Sequence, residues 1–392
     1  MQPVISSIAR TPIGRFNGAY GSLTAMDLGG VAIAGALERA GLAPEQVDEV
    51  IFGHVLQAGQ GQITSRQAAV NAGIPMSVPA MTINKVCLSG LTAIQEAANH
   101  IRLGESTFVV AGGMESMTNA PYVLPGARAG YRMGDKTVVD IMTHDGLFCA
   151  FDSCMMGDSS DRKNDDLGIE RGEQDTWAAN SHARAEAATD AGIMAKEIVS
   201  VEVPQRRGDP VVVTEDEGIR RGTTAESLAG LRPAFHSDGT ITAGNASQIS
   251  DGAAALVVAD RQAAEAVGMP VIAEIVSYGQ VAGPDATLHE RPAEALRVAL
   301  KRASLDPTDV DVVEINEAFA SVALWSAKML DIDAAKVNIH GGAVALGHPL
   351  GATGARIVVS LINALRETGG TYGGAALCGG GGQGDALIVR MV

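Results

Sequence analysis

The same order of local patterns occurs twice in this chain, and that repetition constrains its fold more than any other feature. In the first copy, a loop at residues 84–90 precedes apolar residues at helical spacing, which continue to a stop signal at Gly104. An apolar run at 107–111 follows and ends in a pair of glycines, 112–113. This order predicts a loop, a helix, a buried strand and a glycine turn.

The second copy lies near the end of the chain. The loop at residues 347–351 precedes apolar residues at helical spacing in 357–365, and glycines 369–370 end the predicted helix. The run 375–378 is a second predicted strand, and four glycines, 379–382, follow it. The two copies predict the same loop–helix–strand unit.

A duplicated α/β unit explains both copies, and helical crossovers of this kind predict parallel strands. Hydrophobic residues make up 46% of the chain but aromatic residues only 4%. This composition suits helices packed closely against buried parallel strands. We expect Cys87 and Cys378 to lie in equivalent loops of the two halves.

Between the two copies the sequence is more charged and irregular, which predicts an inserted subdomain. We place its boundaries at 119–245, so that 1–118 with 246–268 forms the first half and 269–392 forms the second. One amphipathic helix is predicted within the insertion, from Glu170 to Ala191. Irregular insertions of this kind often cover a ligand.

Charge and cysteine content exclude several classes of protein. A formal net charge of −16 argues against nucleic-acid binding, because phosphates require a basic surface. Four cysteines without a repeated CxxC spacing argue against a disulfide framework or a zinc site and favour a reducing compartment, the cytoplasm. No signal peptide is expected at the start, and no apolar run approaches the roughly 18 residues that span a bilayer.

Four polar residues lie where predicted strands end or helices begin, which is where open α/β sheets bind ligands. Cys87 precedes a helix, whose dipole favours a thiolate, although an isolated cysteine is more often a small buried residue. Cys378 precedes a glycine run that either exposes N–H donors or forms a turn. His348 is held by Pro349 as a fixed base or a loop corner, and Asn316 is also read as a helix N-cap.

Other catalytic motifs are absent from the sequence. There is no GxxxxGK[ST] phosphate loop, no HExxH and no GxSxG. The glycines at 379–384 follow a predicted strand but do not open a long helix, so a dinucleotide fold is a poor match.

Over its full length the sequence resembles the thiolase family. The resemblance is carried by seven stretches in order, at residues 10–16, 57–62, 110–117, 242–252, 316–319, 341–354 and 378–382. It implies an α/β fold of five layers, αβαβα, made of two related halves with an inserted loop domain that receives coenzyme A. It also implies dimers or tetramers, with acyl-CoA and coenzyme A as substrates and with no metal or separate cofactor.

The resemblance also implies a role for each matching residue. Cys87 would take the acyl group as a thioester, His348 would deprotonate Cys87, and Cys378 would remove the α-proton of the second acetyl-CoA. Asn316 would hold a water that stabilises the enolate together with His348. Backbone N–H groups of Cys87 and Gly380 would form the other oxyanion hole.

Four further positions resemble the family's contacts with coenzyme A. Arg220 and Ser227 match the part of the loop domain that contacts the coenzyme, and Ala243 and Ser247 match the pantetheine channel. These matches imply that the insertion and the segment just after it bind the substrate.

One departure from the family pattern concerns substrate range. Biosynthetic members often have His-Met-Gly where this chain has Met155 followed by Met156 and Gly157. Because methionine is flexible and apolar, we expect acyl chains longer than acetoacetyl to be accepted. The direction of the reaction and the preferred chain length stay open at this stage.

Two other functions compete with a thiolase. A decarboxylating ketoacyl synthase would use one cysteine with two histidines, or with histidine and asparagine, and the second cysteine, Cys378, argues against it. A carrier or scaffold that has lost catalysis is disfavoured because Cys87, His348 and Cys378 are all present.

Overall fold

The computed structural model describes all residues, 1–392. In chain order the strands β1–β16 are Pro3–Arg10, Gly14–Arg15, Glu49–Gly53, Ala80–Ile83, Phe108–Ser116, Tyr122–Val123, Val139–Asp140, Phe148–Cys149, Cys154–Met155, Val201–Val203, Val211–Val213, Ser250–Asp260, Ala273–Ala282, Val312–Ile315, Tyr372–Gly379 and Gln383–Met391. The α-helices α1–α11 are Ala25–Ala40, Thr64–Asn71, Ser89–Leu103, Met156–Leu167, Arg171–Asp190, Ala225–Ala229, Arg261–Ala266, Arg291–Ala303, Ala320–Leu330, Ala343–Leu346 and Leu350–Thr368. None of these helices is both long enough and apolar enough to cross a membrane.

Ten strands form one mixed sheet with a short seam in its middle. Nine of them follow the order β14-β15-β16-β13-β1-β12-β5-β3-β4, and β2 pairs with β12. The predicted parallel pairing holds between β3 and β4, β3 and β5, and β14 and β15, whereas the inner strands are antiparallel. Only Val4 and Ile5 of β1 pair with β13, so the sheet consists of two half-sheets joined at this seam.

Three hydrophobic clusters divide the molecule into five layers. One cluster joins α1 and α2 to the first half-sheet, and another joins α8 and α9 to the second. The largest cluster contains α3 and α11 and draws residues from both half-sheets, so these two helices lie between them. The order is helix, sheet, helix, sheet, helix, and the predicted duplicated αβαβα fold is confirmed.

The connectivity shows which positions of the two halves correspond. Cys87 lies two residues before α3, and His348 lies two residues before α11. Cys378 is the penultimate residue of β15, and Glu115 is the penultimate residue of β5. The prediction that Cys87 and Cys378 occupy equivalent loops is therefore wrong, because the equivalent of Cys87 is His348.

The glycine pair after the first predicted strand is not a turn. Strand β5 continues through Gly112 and Gly113 to Ser116. A Cβ atom at Gly112 would lie 2.1 Å from the carbonyl oxygen of Ala254, and one at Gly113 would lie 2.0 Å from that of Gly351. These glycines are required by close packing, not by a change of chain direction.

The region between the halves contains α4, α5, α6 and three small two-stranded sheets. Helix α5 spans Arg171–Asp190, with Glu170 and Ala191 as its caps, which matches the predicted helix. Its Trp177 Nε1 donates to Glu317 Oε1 at 2.9 Å, which ties the region to the second half. The domain boundaries at 118/119 and 245/246 stay predictions.

Candidate active site

A cavity of about 270 Å³ lies where the two halves and the insertion meet. Five of the predicted site residues line it, namely Cys87, Ser247, His348, Cys378 and Gly380. Most of the remaining wall is apolar. No group of three or more histidine, cysteine, aspartate or glutamate side chains is arranged to hold a metal ion.

Cys87 occupies a tight turn at the N-terminal end of α3, as predicted. Burial raises the pKa of its thiol to about 12, although the N–H groups of Cys87 and Gly380, which hydrogen-bond to the sulfur, oppose this rise. The prediction that the helix end would favour a thiolate is therefore wrong for the free enzyme, because loss of solvation is the larger effect. The two N–H groups converge on one sulfur, and from there they can also donate hydrogen bonds to the carbonyl oxygen of a substrate.

His348 is placed to accept the proton of Cys87. Its Nε2 atom lies 3.2 Å from Cys87 Sγ, and its Nδ1 atom lies 2.7 Å from Thr353 Oγ1. The Thr353 hydroxyl donates its only proton to the carbonyl of Pro349 at 3.0 Å, so it accepts from Nδ1–H. We assign the tautomer from this network, and it leaves a lone pair on Nε2 facing the thiol.

The free site holds a neutral pair and not an ion pair. Burial lowers the pKa of His348 to about 3, and the charge of Arg356 adds to this effect. With a neutral imidazole beside a neutral thiol, the proton must move when the sulfur attacks its substrate.

Cys378 reaches the same cavity from the end of β15 and is 1% exposed. Burial raises the pKa of its thiol well above the ordinary range, and the neighbouring Cys87 adds to the rise. Cys378 therefore carries its proton in the free enzyme. The other two cysteines, Cys149 and Cys154, face each other in the hairpin β8–β9 and do not line the cavity.

Asn316 is not a helix N-cap. Helix α9 starts at Ala320, with Phe319 as its cap residue. The Asn316 side chain is fully buried, and neither its Oδ1 nor its Nδ2 atom has a hydrogen-bond partner within the protein. An unpaired amide in this position is costly for folding and available for a polar ligand.

The four predicted coenzyme contacts lie in different surroundings. Ser247 lines the cavity, and its backbone N–H donates to the carbonyl of Ala318 at 3.1 Å. Arg220 and Ala243 are exposed and adjacent, with Arg220 Nη1 3.5 Å from the Ala243 carbonyl oxygen. Ser227 is exposed, and its hydroxyl donates to the carbonyl oxygen of Thr224 at 2.7 Å at the start of α6.

A buried carboxylate that no sequence motif indicated, Glu115, supports the site. Glu115 accepts backbone N–H bonds from Val55 and Leu56 at 3.1 Å and from Gly351 at 2.9 Å. His54 Nε2 lies 3.3 Å from the same carboxylate. Gly351 opens α11 close to His348, so Glu115 holds that loop in place. Its position at the end of a strand was a signal that could have identified it.

Much of the apolar wall of the cavity comes from the insertion. Met155, Met156 and Phe235 line it together with Leu288 and Phe319. Phe235 and Phe319 pack edge to face, with ring centroids 6.2 Å apart. Cys378 belongs to the same hydrophobic cluster as Leu288 and Phe319, so an apolar acyl chain can lie against this wall beside the reactive thiol.

Comparison with known proteins gives matches over nearly the whole chain. The family described as thiolase, N-terminal domain, matches residues 3–262, and the family described as thiolase, C-terminal domain, matches residues 269–391.

Three relatives match at nearly full length. A probable acetyl-CoA acetyltransferase of Mycolicibacterium smegmatis is 53% identical, covering 97% of this chain and 98% of the relative. An acetyl-CoA acetyltransferase of Cupriavidus necator is 49% identical, covering 99% and 98%. The crystal structure of the Bacillus anthracis acetyl-CoA acetyltransferase is 41% identical and superposes with a TM-score of 0.97, covering 100% and 99%.

Proposed function

The chain belongs to the thiolase family, and from this premise we propose that Cys87, His348 and Cys378 divide the work of its reaction. The reaction is the reversible Claisen condensation of acetyl-CoA to acetoacetyl-CoA, or the thiolytic cleavage of a 3-oxoacyl-CoA, through an acyl-cysteine intermediate. The observation that carries the division is the 3.2 Å contact between His348 Nε2 and Cys87 Sγ inside a cavity that Cys378 also lines.

In the first step Cys87 attacks the carbonyl carbon of acetyl-CoA while its proton passes to His348 Nε2. The negative charge that develops on the carbonyl oxygen is stabilised by the N–H groups of Cys87 and Gly380. The C–S bond to coenzyme A then breaks, which leaves acetyl-Cys87, a protonated His348 and a coenzyme A thiolate.

Cys378 is the next group to exchange a proton. Cys378 is protonated in the free enzyme and cannot act as a base in that state. It becomes a base by giving its proton to the departing coenzyme A thiolate. Coenzyme A then leaves as a thiol, and the positive His348 stabilises the new thiolate of Cys378.

In the second step the Cys378 thiolate removes the α-proton of a second acetyl-CoA. The enolate oxygen is stabilised by the protonated His348 and, through a water, by the unpaired amide of Asn316. The α-carbon attacks acetyl-Cys87 and forms acetoacetyl-CoA, and the Cys87 thiolate takes back its proton from His348. All three groups return to their starting protonation states.

We assign the coenzyme contacts to the exposed rim of the cavity. Arg220 lies beside Ala243, and Ser247 leads from there into the cavity, so a pantetheine arm can run past these residues. Ser227 contributes chiefly by completing the capping box at the start of α6. A remote contact of this kind contributes mostly uniform binding, so Arg220→Ala should raise KM and leave kcat nearly unchanged.

We further propose that acyl chains longer than acetoacetyl are substrates. The flexible Met155 and Met156 form part of an otherwise apolar wall, which can adapt to a longer chain. Steady-state rates with acetoacetyl-CoA and with a long-chain 3-oxoacyl-CoA test this proposal. A complete failure to cleave the long-chain substrate would contradict it.

We also infer a homodimer or homotetramer. Several large apolar side chains of residues 119–140 are exposed on the single chain, namely Tyr122, Leu124, Tyr131, Met133 and Val138. Several exposed apolar groups within one segment are typical of a surface that another subunit covers. Light scattering on the purified protein gives the assembly, and a monomer would contradict the inference.

The experiment that tests the main assignment is trapping of the intermediate. Incubation with acetyl-CoA should add one acetyl group to the peptide that contains Cys87, detected by mass spectrometry. The control is the same incubation with the thiol of Cys87 removed, as in Cys87→Ser. Acetylation confined to Cys149 or Cys154 would overturn the assignment.

A further inference from the structure

The turn that carries Cys87 has a backbone conformation that its own sequence disfavours. Val86, directly before the cysteine, has a φ of 50°. This is the left-handed region, which a β-branched side chain rarely adopts. Such a residue persists only where its surroundings hold it in place. The turn therefore needs support from neighbouring groups.

Part of this support is local. Asn84 Oδ1 accepts from the backbone N–H of Val86 at 3.1 Å. Ser89 Oγ accepts from the N–H of Lys85 at 2.8 Å and donates to the carbonyl of Val86 at 2.6 Å. These bonds fix the shape of the turn, but none of them fixes its position relative to the second half of the molecule.

An ion pair between the partly buried Lys85 and the fully buried Asp385 provides that link. Lys85 Nζ lies 2.8 Å from both carboxylate oxygens of Asp385, which is fully buried, while the Lys85 side chain is 16% exposed. Asp385 also accepts from Thr92 Oγ1 at 3.0 Å, in the first turns of α3. In β16, Asp385 pairs with Leu377, the residue before Cys378. The pair thus joins the turn of one cysteine to the strand beside the other.

We propose that Lys85 and Asp385 are positioning residues for acyl transfer, which hold the Cys87 turn against the strand that leads to Gly380. The proposal rests on the proposed function, because it concerns the oxyanion hole made by the N–H groups of Cys87 and Gly380. One of these groups comes from each half of the chain, so the hole exists only while the two loops stay in register. Neither Lys85 nor Asp385 lines the cavity, and both act through the backbone.

A role in stability alone explains this pair poorly. A buried ion pair often contributes little net stability, because both charges lose their hydration. Its geometric effect is larger, since a misplacement of about 1 Å at a reacting centre can reduce a rate by roughly 10²-fold. The pair restrains the one junction in the cavity where donors from both halves must converge.

The test compares Lys85→Met, Lys85→Arg, Asp385→Asn and the double variant Lys85→Met/Asp385→Asn. We expect the methionine and asparagine variants to slow acetylation of Cys87 by about 10–100-fold. KM for acetyl-CoA should change by less than about threefold, because the coenzyme contacts lie elsewhere. Lys85→Arg, which keeps the charge, should recover most of the rate.

The double variant keeps the test decisive if a single variant does not fold, because it leaves no unpaired buried charge. We expect its acetylation to stay slow. The matched control is Lys163→Met, since Lys163 is equally exposed at 16%, pairs with Glu290 at 3.6 Å and, like Glu290, does not line the cavity. This control should keep the wild-type rate even where its thermal midpoint falls.

Two results would overturn the proposal. One is acetylation at the wild-type rate in the folded double variant, and the other is an equal loss of rate in Lys163→Met. Failure of the proposed function would give a different result from both, because the wild-type enzyme itself would then form no acetyl-Cys87.

Discussion

The two halves of the molecule offer the same three positions for chemistry and use them differently. The residue two before the central helix is Cys87 in the first half and His348 in the second. The residue directly after the first parallel strand is His54 after β3 and Asn316 after β14. The penultimate residue of the parallel strand paired with it is Glu115 in β5 and Cys378 in β15. Of the four side chains proposed to act in catalysis, only Cys87 comes from the first half.

The hydrogen bonds of these residues explain why the two halves use equivalent positions differently. In the first half, His54 is bonded to Thr64 at 2.9 Å and lies next to Glu115, whose carboxylate accepts three backbone N–H groups. In the second half, Asn316 has no partner for either side-chain atom. Equivalent positions thus became structural where their polar groups are satisfied, and available for catalysis where they are not.

The largest expected effect tests the single contribution of the first half. Cys87→Ser should reduce both acetyl incorporation and acetoacetyl-CoA turnover by more than about 10⁴-fold, because no nucleophile of comparable strength remains. Labelled acetyl incorporation and turnover are measured on the same preparation. Acetyl incorporation that persists in this variant would show that the nucleophile lies elsewhere.

The second-largest expected effect distinguishes the role of Cys378 from that of Cys87. Cys378→Ser should lower turnover by roughly 10²–10⁴-fold, because a hydroxyl is a much weaker base than a thiolate. Acetylation of Cys87 should persist, since His348 still accepts its proton. His348→Asn is the control, because it should suppress acetylation itself. Equal loss of acetylation in Cys378→Ser and Cys87→Ser would show that the two thiols do not divide the reaction.

A matched pair of variants tests the comparison itself. Asn316→Ala should reduce turnover by about 10²-fold while lowering the free energy of unfolding by no more than about 1 kcal/mol, because the amide has no partner to lose. His54→Ala should do the opposite, lowering the free energy of unfolding by about 1–3 kcal/mol and turnover by less than tenfold. Chemical denaturation and steady-state kinetics on both variants give the four values. If both lose stability equally, the distinction between satisfied and available positions fails.

The last prediction concerns the pH dependence of stability. The pKa of His348 is lowered from 6.5 to about 3, so the folded protein keeps this group neutral while the unfolded chain protonates it below 6.5. The contribution of this group to the free energy of unfolding is complete above pH 6.5. It is lost as the pH falls towards 3, by up to about 1.4 kcal/mol per pH unit. His348→Asn should therefore lose less unfolding free energy than the wild type between pH 7 and pH 4. Parallel denaturation curves at those two values check the sign.

Local patterns were enough to predict Cys87, His348 and Cys378 as site candidates and to place helix α5. Residues that act through distant contacts could not be predicted in this way. Glu115 has its role because Gly351, 236 positions away, donates to it, and Gly112 is a glycine because the carbonyl of Ala254 lies against it. The ionisation of Cys87 was also mispredicted, because a helix end is visible in the sequence whereas burial depends on the whole fold.

The crossing of α3 and α11 has a consequence for how such a protein can evolve. The helices meet through glycines, since a Cβ atom at Gly90 would lie 2.7 Å from the backbone of Ala355, and one at Gly354 would lie 2.3 Å from that of Leu91. The contact between the ancestral copies is therefore made by main chain, which mutation of neighbouring side chains leaves intact. After the duplication, one copy could exchange its residues for new ones without losing its fit to the other. Divergence of function is open to the side chains, whereas any residue larger than glycine at the crossing would push the two helices apart.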